Sequence, residues 1–188
     1  MSFKPALLRG AAATSCLLFS LLAAAAALKA DPAKSSIGVL FRQMNVPIEA
    51  KFNQATMQIN FDAAHLEASK ARVEIDIASF DLGEPEYNRE VLKKEWFNAA
   101  QFPKATFVSS NMKAMGNNQY QVNGQLTIKG RATEVAFPLT VSRQGTQQIF
   151  DGRLPIKRLT YNIGEGDWKD TSVVADEVVI KFHIVAAE

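Results

Sequence analysis

The chain has 188 residues, 47% of them hydrophobic, with 21 basic and 19 acidic side chains and a single cysteine. That length and apolar content suit one globular domain with its own core, not a disordered or fibrous chain. Near-balanced charge without runs of one sign argues against a nucleic-acid partner or an anionic membrane surface, and one cysteine excludes a disulfide framework or a Cys-based zinc site.

Lys4 and Arg9 give a short basic start, and residues 11–27 are free of charge and rich in Ala and Leu. The small residues Ala25, Ala26 and Ala27 follow. This pattern predicts a signal peptide over residues 1–27, cleaved after Ala27, and a periplasmic domain over 28–188. A retained N-terminal anchor is the alternative. Ala13-Thr14-Ser15 before Cys16 makes a poor lipobox. Without Lys4 and Arg9 the basic count falls from 21 to 19, equal to the 19 acids.

Residues 28–36 read as an arriving strand or arm, and 37–44 are mostly apolar. Residues 47–62 alternate with a change of phase. Ile48, Ala50 and Phe52 share one parity, and Met57, Ile59 and Phe61 the other, so a bulge or bend is expected near 53–55. In residues 70–77, Val73, Ile75 and Ile77 oppose Arg72, Glu74 and Asp76, the pattern of a half-buried antiparallel strand. A loop over 79–90, punctuated by Gly83 and Pro85, leads into the one helical segment, around 86–98.

Pro103 should end that helix. Trp96, Phe97 and Phe102 then lie in a short connector too apolar to be free in water. They either plug the end of an ordinary core or cap a ligand cavity. Strands follow at 104–115 and 120–128, with turns at Gly116-Asn117-Asn118 and Lys129-Gly130. Val135, Phe137, Leu139 and Val141 form the next apolar face, where Pro138 suggests an edge or a bulge. Residues 147–157 and 172–187 complete the set, the last with Val178, Ile180, Phe182 and Ile184 inward. The fold class is all-β, an antiparallel barrel of about eight strands or else a sandwich. A barrel of that size can hold one small elongated ligand.

Little chemistry is available. His65 and His183 are far apart and neither lies in a metal-ligand spacing, so no metal site is expected. No serine sits in a nucleophile elbow. Gly164-Glu165-Gly166-Asp167 is neither a P-loop nor a dinucleotide fingerprint. Arg158, near Trp168, either anchors a polar head group or pairs with an acid. No active site assembles, so the chain is read as a binding protein rather than an enzyme, without a cofactor.

Four segments then carry a family likeness: Ile75-Asp76-Ile77-Ala78-Ser79-Phe80-Asp81; the Trp96-Phe97 stretch to Phe107; Gly124-Gln125-Leu126-Thr127-Ile128-Lys129-Gly130; and Ile163-Gly164-Glu165-Gly166-Asp167-Trp168. In this order they resemble the YceI-like, polyisoprenoid-binding family of exported bacterial proteins, from about residue 31 to 187. The resemblance implies a lipocalin-like barrel with an elongated apolar pocket for an isoprenoid chain such as a quinone tail, and a periplasmic carrier. Where that family often has histidines, around Lys34 and Gln43, this chain differs, so a head-group contact by those histidines does not carry over.

By parity, Phe52, Ile59, Phe61, Ile75, Phe107, Leu126, Phe137, Leu154, Ile180 and Phe182 point inward, as pocket walls or as filler. Trp96, Phe97 and Phe102 are the candidate cap, and Arg158 and Trp168 candidate head-group contacts. Trp96 and Trp168 are both placed in loops near barrel ends, and an added quinone is expected to quench Trp96 while sparing Trp168. A second reading keeps the barrel filled and assigns the loops to a protein partner in an envelope-stress response. A homodimer is compatible with either.

Overall fold

The alternating segments become strands that pair antiparallel throughout, about half of the pairings joining neighbours in sequence. The computed structural model describes residues 27–188 and contains β1 (Ala27–Ala30), β2 (Ser36–Gln43), β3 (Val46–Phe52), β4 (Ala55–Asn60), β5 (Lys70–Asp76), β6 (Phe80–Asp81), α1 (Pro85–Glu90), β7 (Lys104–Gly116), β8 (Gln119–Ile128), β9 (Arg131–Gln144), β10 (Gln147–Lys157) and β11 (Glu177–Ala187). Of the leader predicted over residues 1–27, all but Ala27 lies outside the described residues. Ala27 itself opens β1, opposite Asn60.

Going round, β1, β4, β5, β7, β8, β9, β10 and β11 are each bonded to the next, and β11 returns to β1 through Lys29↔Ala187 and Ala30↔Ala186. The result is a closed antiparallel barrel of eight strands, the size whose interior holds side chains or one small ligand. β11 is longer than β1. Further along, Val179 to His183 pair instead with β2, and β2, β3 and β6 extend the wall beyond the ring.

The phase change within residues 47–62 has a physical partner. β3 and β4 are separated at Asn53 and Gln54, and β5 and β6 are separated directly across by a 3-10 turn over Ile77–Ser79. The Asn53 N–H donates to the Ser79 carbonyl (3.1 Å), the Asp76 N–H to the Gln54 carbonyl (3.1 Å), and the Gln54 N–H to Ser79 Oγ (3.0 Å). Two opposed bends thus replace a run of ladder bonds, and the inward parity switches at that point on both strands.

Pro138 lies inside β9, yet pairing of β9 with β10 runs only from Leu139 to Gln144. The missing N–H therefore falls where β9 has left its neighbour, a local edge. In the sequence between β10 and β11, Tyr161 is buried, and that burial raises its pKa.

The helix is shorter than expected. α1 spans six residues with Pro85 in its first turn. From Val91 on, the bonds become irregular, with Phe97 N–H to the Val91 carbonyl and Ala99 N–H to the Leu92 carbonyl, and Asn98 takes a left-handed φ of 51°. Residues 91–103 are consequently a folded connector laid over one end of the barrel, not a continuing helix.

Candidate functional site

Inside the barrel lie two apolar chambers, of about 350 Å³ beneath the connector and about 110 Å³ in the opposite half. They share Ile75, Leu126 and Ile180 as walls, so the two chambers adjoin at these three side chains, the neck of the interior. Alternation along each strand carries the wall from one chamber to the other. On β8, Val122 lines the lower chamber, Leu126 the neck and Ile128 the upper one. On β11 the order is Phe182, Ile180 and Val178. Period-2 geometry puts every second side chain on this axis.

All ten residues predicted to face inward line one chamber or the other. Phe52 lines the upper one. Ile75, Leu126 and Ile180 form the neck, and Ile59, Phe61, Phe107, Phe137, Leu154 and Phe182 line the lower chamber. Phe61 packs edge-on to Tyr120 and Phe150, at 5.1 and 5.5 Å between centroids, and Phe137 lies between Phe107 (5.5 Å) and Phe182 (5.4 Å). Room for such rings comes from Gly152, where a Cβ would stand 2.1 Å from the Phe182 ring.

The connector residues divide. Trp96 and Phe97 line the upper chamber. Phe102 lines neither. Its ring packs over the Lys129-Gly130 turn, where a Cβ on Gly130 would come within 2.7 Å of it. Parity has no meaning in an irregular connector, so nothing local distinguished Phe102 from its two neighbours. Trp168 also lines the upper chamber, and its ring centroid is 5.1 Å from that of Trp96. The two indoles expected to be separable therefore share one wall, and a quencher in this chamber meets both.

Arg158 reaches the same chamber but is only 2% exposed, and its donors are already engaged. Nε donates to the Ala175 carbonyl (3.1 Å), Nη1 to Ile163 (2.7 Å) and Gly164 (3.3 Å), and Nη2 to Trp168 (2.7 Å) and Val174 (2.7 Å). Five carbonyls on one guanidinium leave no donor for a head group. Neither expected role, anchor or partner of an acid, is its principal one. It stitches residues 163–175 to the barrel end. Burial also lowers its pKa from the ordinary arginine value, countered in part by Asp176. Its guanidinium carbon lies 6.0 Å from the Trp96 ring centroid, a cation–π contact that braces the indole.

A second cation ties the same loops. Lys129 Nζ, nearly buried, donates to the Lys94 carbonyl (2.8 Å), the Asn162 carbonyl (2.7 Å) and Glu165 Oε2 (2.9 Å). That bond and charge hold the Glu165 carboxyl below its usual pKa. The Glu95 carbonyl accepts from the N–H groups of both Gly164 and Glu165, and the Ile77 N–H donates to the Pro103 carbonyl. The four segments that carried the family resemblance thus converge on one barrel end, as the scaffold of the connector.

Several wall residues escaped sequence reading. Val39 and Phe41 of β2 and Ile48 of β3 line the upper chamber, as do Glu84, Tyr87 and Glu90 around α1. The alternation Ile37, Val39, Phe41 was a usable signal for the first two. Tyr87 is 61% exposed, so the chamber reaches the surface beside it. Of the two positions where the family often has histidine, Gln43 lines this chamber, while Lys34 lies outside it and pairs with Asp31 (3.8 Å). His65 is exposed and His183 half-buried, and they are bonded to Asp62 (2.9 Å) and Asp151 (2.7 Å). No group of three candidate metal ligands occurs among the described residues.

The family model described as a YceI-like domain matches residues 28–186. A UPF0312 protein of Pseudomonas syringae pv. syringae is 32% identical over 98 residues, 52% of this chain and 51% of that one. The chain spans about half the length of the first such curated relatives. Among solved structures, that of BcnA from Burkholderia cenocepacia is 52% identical, with a TM-score of 0.83, covering 85% of this chain and 100% of that one. A polyisoprenoid binding domain from Saccharophagus degradans shares the fold at 18% identity, with a TM-score of 0.66 over 86% of this chain and 97% of that one. With the eight-stranded barrel, the covered apolar interior and a family match over nearly every described residue, the chain belongs to the YceI-like family.

Proposed function

We propose that this protein binds an isoprenoid lipid, a quinone or polyprenyl chain, along the axis of its barrel, and that it does so as a periplasmic carrier or reservoir. The observation that carries this reading is the pair of apolar chambers that adjoin at Ile75, Leu126 and Ile180. A linear chain of methyl-branched units suits an elongated apolar space of two adjoining chambers. Each Å² of its apolar surface removed from water stabilises the complex by roughly 25 cal/mol. The polyisoprenoid-binding description of the Saccharophagus degradans neighbour points the same way. Binding, rather than catalysis, fits walls that are overwhelmingly apolar. The open interior also favours this reading over a filled barrel acting only through its loops.

Mass spectrometry of an organic extract from freshly purified protein is the direct test. A co-purified isoprenoid is the expected result. An empty extract combined with no saturable uptake of added quinone would reject the reading. The periplasmic assignment predicts a chain beginning near Leu28 in the periplasmic fraction, and full-length chain in the cytoplasm would overturn it.

A further inference from the structure

We propose that the tip of the β2–β3 hairpin docks, together with Tyr87, on the surface of a lipid bilayer, so that an apolar ligand passes between membrane and chamber along the hairpin's inner face without crossing water. The inference rests on the isoprenoid reading above and adds to it a partner and a route of entry.

The hairpin outruns the barrel. β2 pairs with β11 only as far as Leu40, yet its ladder with β3 continues through Phe41↔Ile48 to Gln43↔Val46. One face carries the opposed pairs Val39 and Ala50, Phe41 and Ile48, Gln43 and Val46, and alternation turns that face toward the chamber. Exposure rises along it. Val39 and Ala50 are buried, Phe41 and Ile48 half-buried, and Val46 is 57% exposed. Phe41, Gln43 and Ile48 line the upper chamber, so its lining continues outward to solvent as an apolar ramp. Met44 at the turn is 67% exposed, and Tyr87 stands exposed at the same mouth. Three of the five large apolar side chains exposed among the described residues thus gather here.

The turn is unfavourable for the residue at its tip. Met44 and Asn45 both have positive φ, 47° and 66°. That backbone belongs to a tight hairpin turn that favours Asn, Asp or Gly, so turn chemistry gives no reason for a methionine at the first position. Distant bonds enforce the conformation. The Met44 N–H donates to the Val173 carbonyl (2.8 Å), the Ala175 N–H to the Arg42 carbonyl (2.9 Å), and Arg42 Nη1 to the Asn45 carbonyl (2.8 Å). The apolar tip is therefore held out in water by a separate loop.

Edge, area and charge decide what covers it. Residues 46–50 of β3 pair with β2 alone among the described residues. Pro47 lacks an N–H and Glu49 is charged, so that edge is guarded against a second strand. Three side chains fall far short of the roughly 800 Å² per partner that a stable protein interface buries. The charges on and just after α1 have both signs, Glu84, Glu86 and Glu90 against Arg89 and Lys93, so no single-sign field draws an anionic surface. A methionine, a valine and a tyrosine around an apolar mouth match the interfacial zone of a bilayer, where apolar groups sink and a phenol keeps its hydroxyl wet. A bilayer is also the phase in which a water-insoluble chain is dissolved.

The test loads the folded protein with a ubiquinone added from ethanol and mixes it with an excess of phosphatidylcholine vesicles. Recovery of tryptophan fluorescence reports release, and ubiquinone in the protein and vesicle fractions is measured in parallel. For wild type the transfer rate should rise in proportion to vesicle concentration, as a collision requires. It should not rise when phosphatidylglycerol replaces part of the phosphatidylcholine. Met44→Asn combined with Val46→Thr removes the apolar tip and leaves every chamber wall residue in place. Asn suits the positive φ, so thermal unfolding should stay at the wild-type temperature or above it. Transfer should slow about tenfold or more, while equilibrium loading from ethanol is unchanged. A rate independent of vesicle concentration, or a variant that transfers as fast as wild type, would overturn the docking inference and leave lipid binding intact. A rate that climbs with phosphatidylglycerol would overturn it in favour of attraction by charge. A wild-type dimer that the variant does not form would overturn it in favour of a second copy at the tip. Failure of wild type to load ubiquinone at all would instead remove the isoprenoid reading, and this inference with it.

Discussion

At the scale of single residues, Arg158 illustrates how a charged side chain can be entirely structural. Its planar fork matches five carbonyls contributed by residues 163–175, and a lysine has three donors in a different geometry. Arg158→Lys should therefore lower unfolding free energy by at least about 2 kcal/mol, because buried carbonyls lose partners. Urea titration measures this, and a change below a few tenths of a kcal/mol would contradict the stitching role. Gly164 is bound to the same arrangement. Its φ is +78°, and a Cβ would come within 2.1 Å of Arg158 Nη1. Gly164→Ala should thus destabilise through backbone strain and a displaced guanidinium together, by more than the roughly 1 kcal/mol of the backbone effect alone. The indoles also correct an expectation. With centroids 5.1 Å apart on one wall, Trp96 and Trp168 should both be quenched by bound quinone. Saturable quenching should persist both in Trp96→Phe and in Trp168→Phe. Quenching confined to Trp96 would mean that the shared wall is not where the ring system binds.

At the scale of elements, the connector over residues 91–103 depends on loops far away in sequence. Lys129 joins it to residues 162–165, and the Glu165 carboxyl is held below its usual range chiefly by the hydrogen bond from Lys129. A carboxyl with a depressed folded-state pKa contributes stability above its unfolded value, near 4.3, and that contribution is lost as pH falls through the folded value. Acidification below about pH 4 should accordingly loosen the connector, seen as a change in Trp96 and Trp168 fluorescence before global unfolding. Glu165→Gln should remove the part of that transition due to this pair and resemble the acid form at neutral pH. Other loop carboxyls, such as Asp81 and Asp170, are also lowered by local hydrogen bonds, so the difference between wild type and variant is the readout. The strands themselves were legible, because alternation is a local property of the chain. The helix boundary was not. Charge and helix propensity between residues 86 and 95 favoured a longer helix, yet Asn98 and the bonds of Phe97 and Ala99 fold the chain onto the barrel instead.

For the whole molecule, the two chambers make the neck a gauge of ligand length. Leu126 is buried and lines both. Leu126→Trp should close the passage, so affinity for a long-tailed quinone falls by about tenfold or more while a short-tailed one that fits the upper chamber binds as before. Overpacking of this kind costs typically 1–3 kcal/mol, so thermal unfolding must accompany the measurement. Equal effects on both tails would mean that the chambers do not act in series. Deeper in, Phe137→Asp places a charge between Phe107 and Phe182 and should abolish uptake, because an unpaired charge there has no water and no partner. A variant shown by circular dichroism to be folded, and still carrying lipid, would contradict the placement.

The sequence by itself determined the strands, the bend after Phe52, and which face of each strand turns inward, because period-2 alternation and turn residues act within a few positions of one another. It was enough to name ten wall residues, from Phe52 to Phe182, all of which line the interior. Tertiary structure alone decided that the interior is divided at Ile75, Leu126 and Ile180, that Phe102 packs on Gly130 and not on the cavity, and that Arg158 serves backbone carbonyls. It also decided that the Trp96 N–H is left without a partner. Each of these depends on which distant segments meet at the closed end of the barrel, as when Lys129 gathers Lys94, Asn162 and Glu165. No local pattern encodes such a meeting, because its hydrogen bonds form only after the ring of strands has closed.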